Sequence, residues 1–139
     1  MCIRDSPYSI SGHTHELEIS GQLGKQVRFA PHVADFFRGI SVTVNVELNR
    51  EIDTGTVKRL FEEFYRNRVL VEVTETIPEI RDVAMTNKAL VGGFSIDSRD
   101  TRRVSLVCVI DNLRKGAASQ VVQNLNLMCG LSAEHALNV

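Results

Sequence analysis

His13 and His15 are the side chains best suited to moving protons, because an imidazole titrates near neutrality and can take up a proton and return it. In an extended segment, residues i and i+2 share a side and both rings could serve one site; in a sharp turn only one would reach it. Taken alone, the pair reads more readily as two surface loop residues. A metal site would need a third ligand such as His32, and that spacing is unlike zinc patterns, so no metal is expected. Arg38 can grip a carboxylate or phosphate through paired N–H bonds, or pair with Asp35 or another acid. His32 follows a proline and also suits a turn. Asn112 carries an amide that can both donate and accept, fitting either a ligand amide or a helix cap.

The elements that must position these residues alternate in type. Gly39 to Asn49 sets Ile40, Val42, Val44, Val46 and Leu48 on one side and polar residues on the other, the strongest strand pattern in the chain. Asp53 or Thr54 can cap a following helix whose stripe is Val57, Leu60, Phe61 and Phe64. Strands are predicted over Val69 to Thr74, Ile80 to Ala84 and Ala89 to Ile96. In the last of these, Gly92 and Gly93 suggest a bulge or a close backbone approach. Ser98 to Arg103 reads as a hairpin turn leading into Val104 to Ile110, an apolar run typical of a strand buried on both faces. The expected class is α+β, a mixed or antiparallel sheet with helices on one face.

At Asp111 to Leu131, DNLRKGAASQVVQNLNLMCGL, the period changes. Ala118, Val121, Val122, Leu125, Met128 and Cys129 recur at helical spacing, with Gln120, Gln123, Asn124 and Asn126 largely opposite. Gly116 and its two alanines permit close approach, and open N–H groups at the helix start would favour an electron-rich partner.

With 139 residues, 43% of them apolar, the chain is of single-domain size and can bury a core. A formal charge of −1 gives no broad attraction for nucleic acid or anionic membrane, so neither is expected as a partner. The basic clusters at Arg66 to Arg68 and Arg99 to Arg103 lie beside turns and read as solvated loops. No apolar run approaches the ~20 residues that span a bilayer, and the expected location is cytoplasmic. The odd cysteine count excludes a simple disulfide framework; Cys108 and Cys129 read as packing thiols. The opening MCIRDS, residues 1–6, is read as a non-native leader that contains Cys2.

Three ordered segments, SGHTHELEI (Ser11 to Ile19), FAPHVADFFRGI (Phe29 to Ile40) and DNLRKGAASQVVQNLNLMCGL, resemble the C-terminal portion of N-acetyl-gamma-glutamyl-phosphate reductases, NADP-dependent enzymes of arginine biosynthesis. Aspartate-semialdehyde dehydrogenases are similar through DNLRKGAA, and N-acetyl-aminoadipyl-phosphate reductases are a further relative. The resemblance implies the C-terminal dimerisation-domain fold of glyceraldehyde-3-phosphate dehydrogenase-like enzymes, with self-association through the open sheet face. It also implies reductive dephosphorylation of a small acyl phosphate. A cysteine thiolate attacks the acyl carbon, phosphate leaves, NADPH delivers hydride to the thioester, and the hemithioacetal collapses to the semialdehyde.

On that resemblance His13 and His15 are the catalytic histidines, Arg38 and His32 contact substrate, and Asn112 and Gly116 contact cofactor, Asn112 meeting the carboxamide of a nicotinamide ring. The family commonly has Arg where Thr14 stands and Thr-Pro at Glu16 and Leu17. The chain has no G-x-G-x-x-G after a strand and does not contain the family's nucleophilic cysteine segment. Residues 7–111 are thus expected to form a catalytic and dimerisation domain, and residues 112–139 a helix that in the family packs on an NADP-binding domain; such a fragment is expected to be inactive alone. A non-catalytic self-association module is the alternative. On the fragment reading, Val121, Val122, Leu125 and Met128 should be less buried than the Val57 to Phe64 stripe.

Overall fold

Asp5 to Pro7 form strand β1, and Thr14–Leu23 the helix α1, which ends at Gly24; β1 pairs antiparallel with β2, His32–Ala34. This is the first of two compact units, Met1–Phe37 and Arg38–Val139, of which the computed structural model describes residues 5–138. Cys2 lies outside the described residues. Asp5 and Ser6, read from sequence as the end of a leader, pair with Ala34 and Val33. A helix over Thr14–Leu23 was not expected from the sequence, because its apolar positions are few and none of its residues is buried.

The second unit is a mixed sheet with helices. In chain order come β3 (Ile40–Glu47), α2 (Thr54–Tyr65), β4 (Val71–Val73), α3 (Ile80–Val83), β5 (Ala89–Asp97), β6 (Asp100–Ile110), a π-helical turn at Arg114–Ala118, and α4 (Ser119–Met128). The strand order is β3-β6-β5-β4, antiparallel except for the parallel β4–β5 pair. Ile40, Val42, Val44 and Val46 stand opposite Ile110, Cys108, Leu106 and Val104, and directly opposed residues share a face. Over β4 and β5 lies α2, Phe61 meeting Phe94 at 5.1 Å between ring centroids. β3 is an edge strand left uncovered, with Ile40, Val42 and Val46 43%, 38% and 39% exposed. The expected α+β layering forms, and α3 additionally seals one end of the opposite face, where Val83, Leu90 and Val109 make the core.

Local chemistry explains the departures from expectation. Ile80 to Ala84, expected as a strand, begins the helix α3, because the Asp82 carboxylate accepts the Glu79 N–H at 2.7 Å and caps the turn. Asp53 caps α2, accepting from the N–H of Thr56 at 2.9 Å. Of the α2 stripe, Val57 is buried and Phe61 half-buried, while Leu60 and Phe64 are exposed, since α2 packs chiefly on β4 and β5 and its apolar arc is wider than that contact. β6 is buried on both faces only towards its end: Val104 and Leu106 are covered on one side and Val109 on the other.

The bulge expected at Gly92 and Gly93 is present as a register shift before Ser95. A Cβ on Gly92 would stand 2.1 Å from Thr74 Oγ1 and 2.6 Å from the Thr76 carbonyl oxygen, so the backbone after β4 occupies the space a side chain needs. Gly92→Ala is therefore expected to lower stability by about 1–3 kcal/mol, read as a lower denaturation midpoint with unchanged slope; a neutral result would contradict this close approach.

The polar turn expected over Ser98 to Arg103 is shorter, since Asp100 to Arg103 already belong to β6. Its charges neutralise one another: Arg99 pairs with Asp97, and Arg102 with Asp100 at 2.9 Å. Hydrogen bonds from the Arg102 side chain and N–H lower the Asp100 carboxyl from 3.8 to about 2. A depressed carboxyl stabilises the fold above its unfolded value and loses that contribution as pH falls through its folded one. Stability curves of the native chain and of Asp100→Asn should thus differ above pH ~4 and converge towards pH ~2. Parallel curves across that window would show the hairpin pair to be inert.

Candidate functional site

Helix α1 begins at His13, whose extended backbone (φ −66°, ψ 141°) turns the chain into the helix. Its Nδ1 accepts the N–H of His15 at 3.2 Å, so the ring itself is the helix cap. Glu16 reaches back to accept the Gly12 N–H at 3.0 Å, closing a box around the turn. The sharp turn does not separate the imidazoles: the His13 and His15 rings meet edge-on, with centroids 4.7 Å apart. Phe29 touches both, at 5.2 and 5.8 Å, and Tyr8 lies against His13 at 5.7 Å.

This arrangement gives the two rings different chemistry. A nitrogen that accepts a backbone N–H carries a lone pair, so the neutral His13 ring bears its proton on Nε2 and presents a donor. His15 caps nothing and can accept as well as donate. Beside them a cleft of about 370 Å³ is lined by Ile10, Ser11, Glu16, Arg28, Phe29 and Ala30. His32 belongs to the same unit, on β2 and opposite Pro7, rather than in a turn.

Arg38, Asn112 and Gly116 belong to the second unit, at the junction where β6 gives way to the π-helical turn. The organiser there is Asp111, whose side chain is 0% exposed. One carboxylate oxygen accepts the N–H groups of Leu113 at 2.9 Å and Arg114 at 3.1 Å. The other accepts the Met85 N–H at 2.8 Å and is paired with Arg38 Nη1 at 3.1 Å. Burial pushes this carboxyl up, but the backbone donors of Met85, Leu113 and Arg114 and the Arg38 charge outweigh it and hold it below its ordinary value. Met85 sits at φ +67°, a left-handed conformation costly for a side-chain-bearing residue, and its N–H bond to Asp111 helps hold it there.

Several expectations for this junction change. Four of the N–H groups that were to meet an electron-rich partner are already engaged: Leu113 and Arg114 by the Asp111 carboxylate, Gly116 by the Asp111 carbonyl at 2.9 Å, Ala118 by the Leu113 carbonyl at 3.3 Å. Asn112 does not cap this turn: the Asp111 carboxylate, one residue earlier, accepts the N–H groups two and three positions ahead of it, and the N-cap position itself is Leu113. Asn112 Oδ1 instead accepts the Gly39 N–H at 2.8 Å. Arg38, expected to grip a ligand or to pair with Asp35 or another acid, is paired with Asp111. Gly116 lies exposed, and a Cβ there would come within 3.3 Å of Ile110 Cδ1, a tight but tolerable contact. The residue missed from the sequence is Asp111; its signal was an aspartate placed directly before the first helical turn.

Beyond the junction, Lys115 donates to Gln120 at 3.0 Å and to Gln123, tying the π-helical turn to α4. Burial lowers the pKa of this amine. The inward side of α4 is polar: Ser119 and Asn126 are buried, the Ser119 hydroxyl donating to Asn87 at 2.6 Å and Asn126 Nδ2 donating to the carbonyls of Ala133 and His135. Most of its apolar stripe faces out, with Val121, Leu125 and Met128 67%, 57% and 86% exposed, while Val122 is half-buried. The expected contrast with α2 holds only in part: Val57 is buried, but Phe61 is half-buried like Val122, and Leu60 and Phe64 are exposed like the outer residues of α4. Cys108 is half-buried and its thiol pushed up by burial, as a packing thiol should be, whereas Cys129 is exposed and packs little.

The family model for the semialdehyde dehydrogenase dimerisation domain matches residues 4–112. Among curated relatives, protein arg11, mitochondrial, of Schizosaccharomyces pombe is 44% identical over 124 residues, which are 89% of this chain and 14% of that protein. The N-acetyl-gamma-glutamyl-phosphate reductase of Stenotrophomonas maltophilia is 43% identical over 125 residues, 90% of this chain and 39% of the relative. Among solved structures, aspartate semialdehyde dehydrogenase II of Vibrio cholerae superposes with a TM-score of 0.66 at 25% identity, over 84% of this chain and 37% of its own. The chain therefore spans well under half the length of these relatives.

Proposed function

Since the chain belongs to the semialdehyde dehydrogenase dimerisation-domain family, we propose that it is the C-terminal segment of an NADP-dependent N-acetyl-gamma-glutamyl-phosphate reductase of arginine biosynthesis, inactive without the rest of that enzyme. The observation that carries this reading is the His13–His15 pair, two imidazoles in edge contact beside a cleft, within a chain more than 40% identical to such a reductase over nine-tenths of its length. Self-association through the open apolar side of β3 belongs to the same proposal, as does a cytoplasmic location; the fungal relative is named as mitochondrial.

His15, not committed to a cap, takes the proton from the attacking thiol, gives it to the hemithioacetal oxygen, and carries it back to the departing thiolate as the carbonyl re-forms. His13 presents Nε2–H as a fixed donor to the oxygen that gains charge. Arg38 and His32 contact the substrate, Arg38 from a guanidinium already anchored on one side by Asp111. The junction fits the cofactor through one group: Asn112, its Oδ1 held by Gly39, offers Nδ2 to a carboxamide oxygen, and Gly116 adds only room for approach. NADPH supplies hydride when bound. The nucleotide cradle and the nucleophilic thiol come from the rest of the enzyme; burial pushes the Cys108 thiol up, the opposite of what a nucleophile needs.

The test joins this segment to the remainder of its enzyme and measures phosphate-dependent, NADP-linked oxidation of N-acetylglutamate, aspartate and N-acetyl-aminoadipate semialdehydes. Preference for the first is the expected result. The likeness to aspartate semialdehyde dehydrogenases favours a second reading, which preference for the second substrate would establish. A folded but inert protein would leave a self-association module.

A further inference from the structure

We propose that Asp111 is a positioning residue that sets the orientation of the Asn112 amide; the inference rests on the reading of Asn112 as a cofactor contact. The carboxylate draws together three segments: Arg38 at the entrance to β3, Met85 after α3, and the N–H groups of Leu113 and Arg114 in the turn that follows β6. Asn112 lies between these anchors, and its Oδ1 closes the remaining link to Gly39. Gly39 can offer that N–H because it sits at φ +112°, where a Cβ would collide with Ile80 Cγ2 at 2.1 Å, so the backbone at this point is pinned from its other side by α3. An amide has its oxygen and nitrogen on opposite sides of one carbon. With Oδ1 bound to Gly39, the direction of Nδ2 is decided by where Asp111 holds the backbone on each side. Arg38 neutralises the charge that makes this possible in a dry place, since a carboxylate with four donors is tolerated there and an unpaired one is not.

In the complete enzyme, Asp111→Asn, which keeps the shape but removes the charge, is expected to raise KM for NADP about tenfold, as Asn112→Ala does, and the double variant to be no worse than either alone, because both act through one contact. Costs that add would overturn the proposal, showing Asp111 to act independently of Asn112. A second readout is hydrogen exchange at the Gly39 amide, expected to quicken in Asp111→Asn while the β5–β6 ladder stays protected; unchanged exchange also overturns positioning, even where Asn112→Ala is costly. A silent Asn112→Ala instead overturns the cofactor reading, and with it this role. If Asp111→Asn does not accumulate folded, the same cycle in a Met85→Gly background applies, where glycine adopts the left-handed backbone without help.

Discussion

Asp111→Ala is expected to cost about 3–5 kcal/mol of folding stability, the largest loss for any single truncation at the junction. The side chain is fully enclosed, and removing it leaves the N–H groups of Met85, Leu113 and Arg114 without their acceptor and Arg38 without its counter-charge. Three segments are released at once, including the left-handed Met85, so the loss should exceed that of an ordinary core methyl deletion. Urea melts would show it as a lower midpoint; a change below ~1 kcal/mol would mean that water replaces the carboxylate and the network is dispensable. The effect should also shrink in acid. The carboxyl lies below its ordinary value when folded, so its contribution is present above that value and fades as pH falls, drawing native and variant together.

The second large effect concerns the imidazoles. In the complete enzyme His15→Ala is expected to lower kcat about 100- to 10,000-fold, the usual worth of a positioned general acid–base group. His13 has two duties, capping α1 and donating from Nε2, and a pair of variants separates them. His13→Ala loses both, with about 1 kcal/mol of stability. His13→Asn restores a good cap without the imidazole, so stability should recover while turnover stays low. Recovery of turnover by asparagine would assign His13 to the helix alone, and unchanged turnover in His15→Ala would remove the proton-transfer role altogether. Both are rate measurements on soluble enzyme with saturating cofactor.

Legibility followed the range of the interaction concerned. The β3 alternation, the Asp53 cap and the Gly92–Gly93 bulge are fixed by neighbours within a few residues, and each was read correctly in kind. Where two local signals competed the reading failed. Ile80 to Ala84 is apolar enough for a strand, yet one hydrogen bond from Glu79 to Asp82 makes it helical. Thr14–Leu23 lacks a buried face, so periodicity was silent, and its start is a histidine cap that no propensity scale would rank highly. Burial was the least legible property, because it depends on what covers an element: the alternating β3 is an edge strand with its valines partly open, and α4 turns serine and asparagine inward.

By itself the sequence determined the chemistry available: two imidazoles two residues apart, an amide at a strand-to-helix junction, the absence of a glycine-rich nucleotide turn, and the segments that mark the family. Those are matters of residue identity and order. Only the tertiary structure decided what each group is free to do. It spends His13 Nδ1 on a helix cap, gives the Leu113 and Arg114 N–H groups to the Asp111 carboxylate, turns Arg38 towards that buried group, and engages Asn112 Oδ1 with Gly39. The physical reason is that a polar group in a closed space must bond to whatever lies within about 3 Å, and contacts such as Arg38 to Asp111, seventy-three positions apart like Gly39 and Asn112, come from folding and not from spacing along the chain.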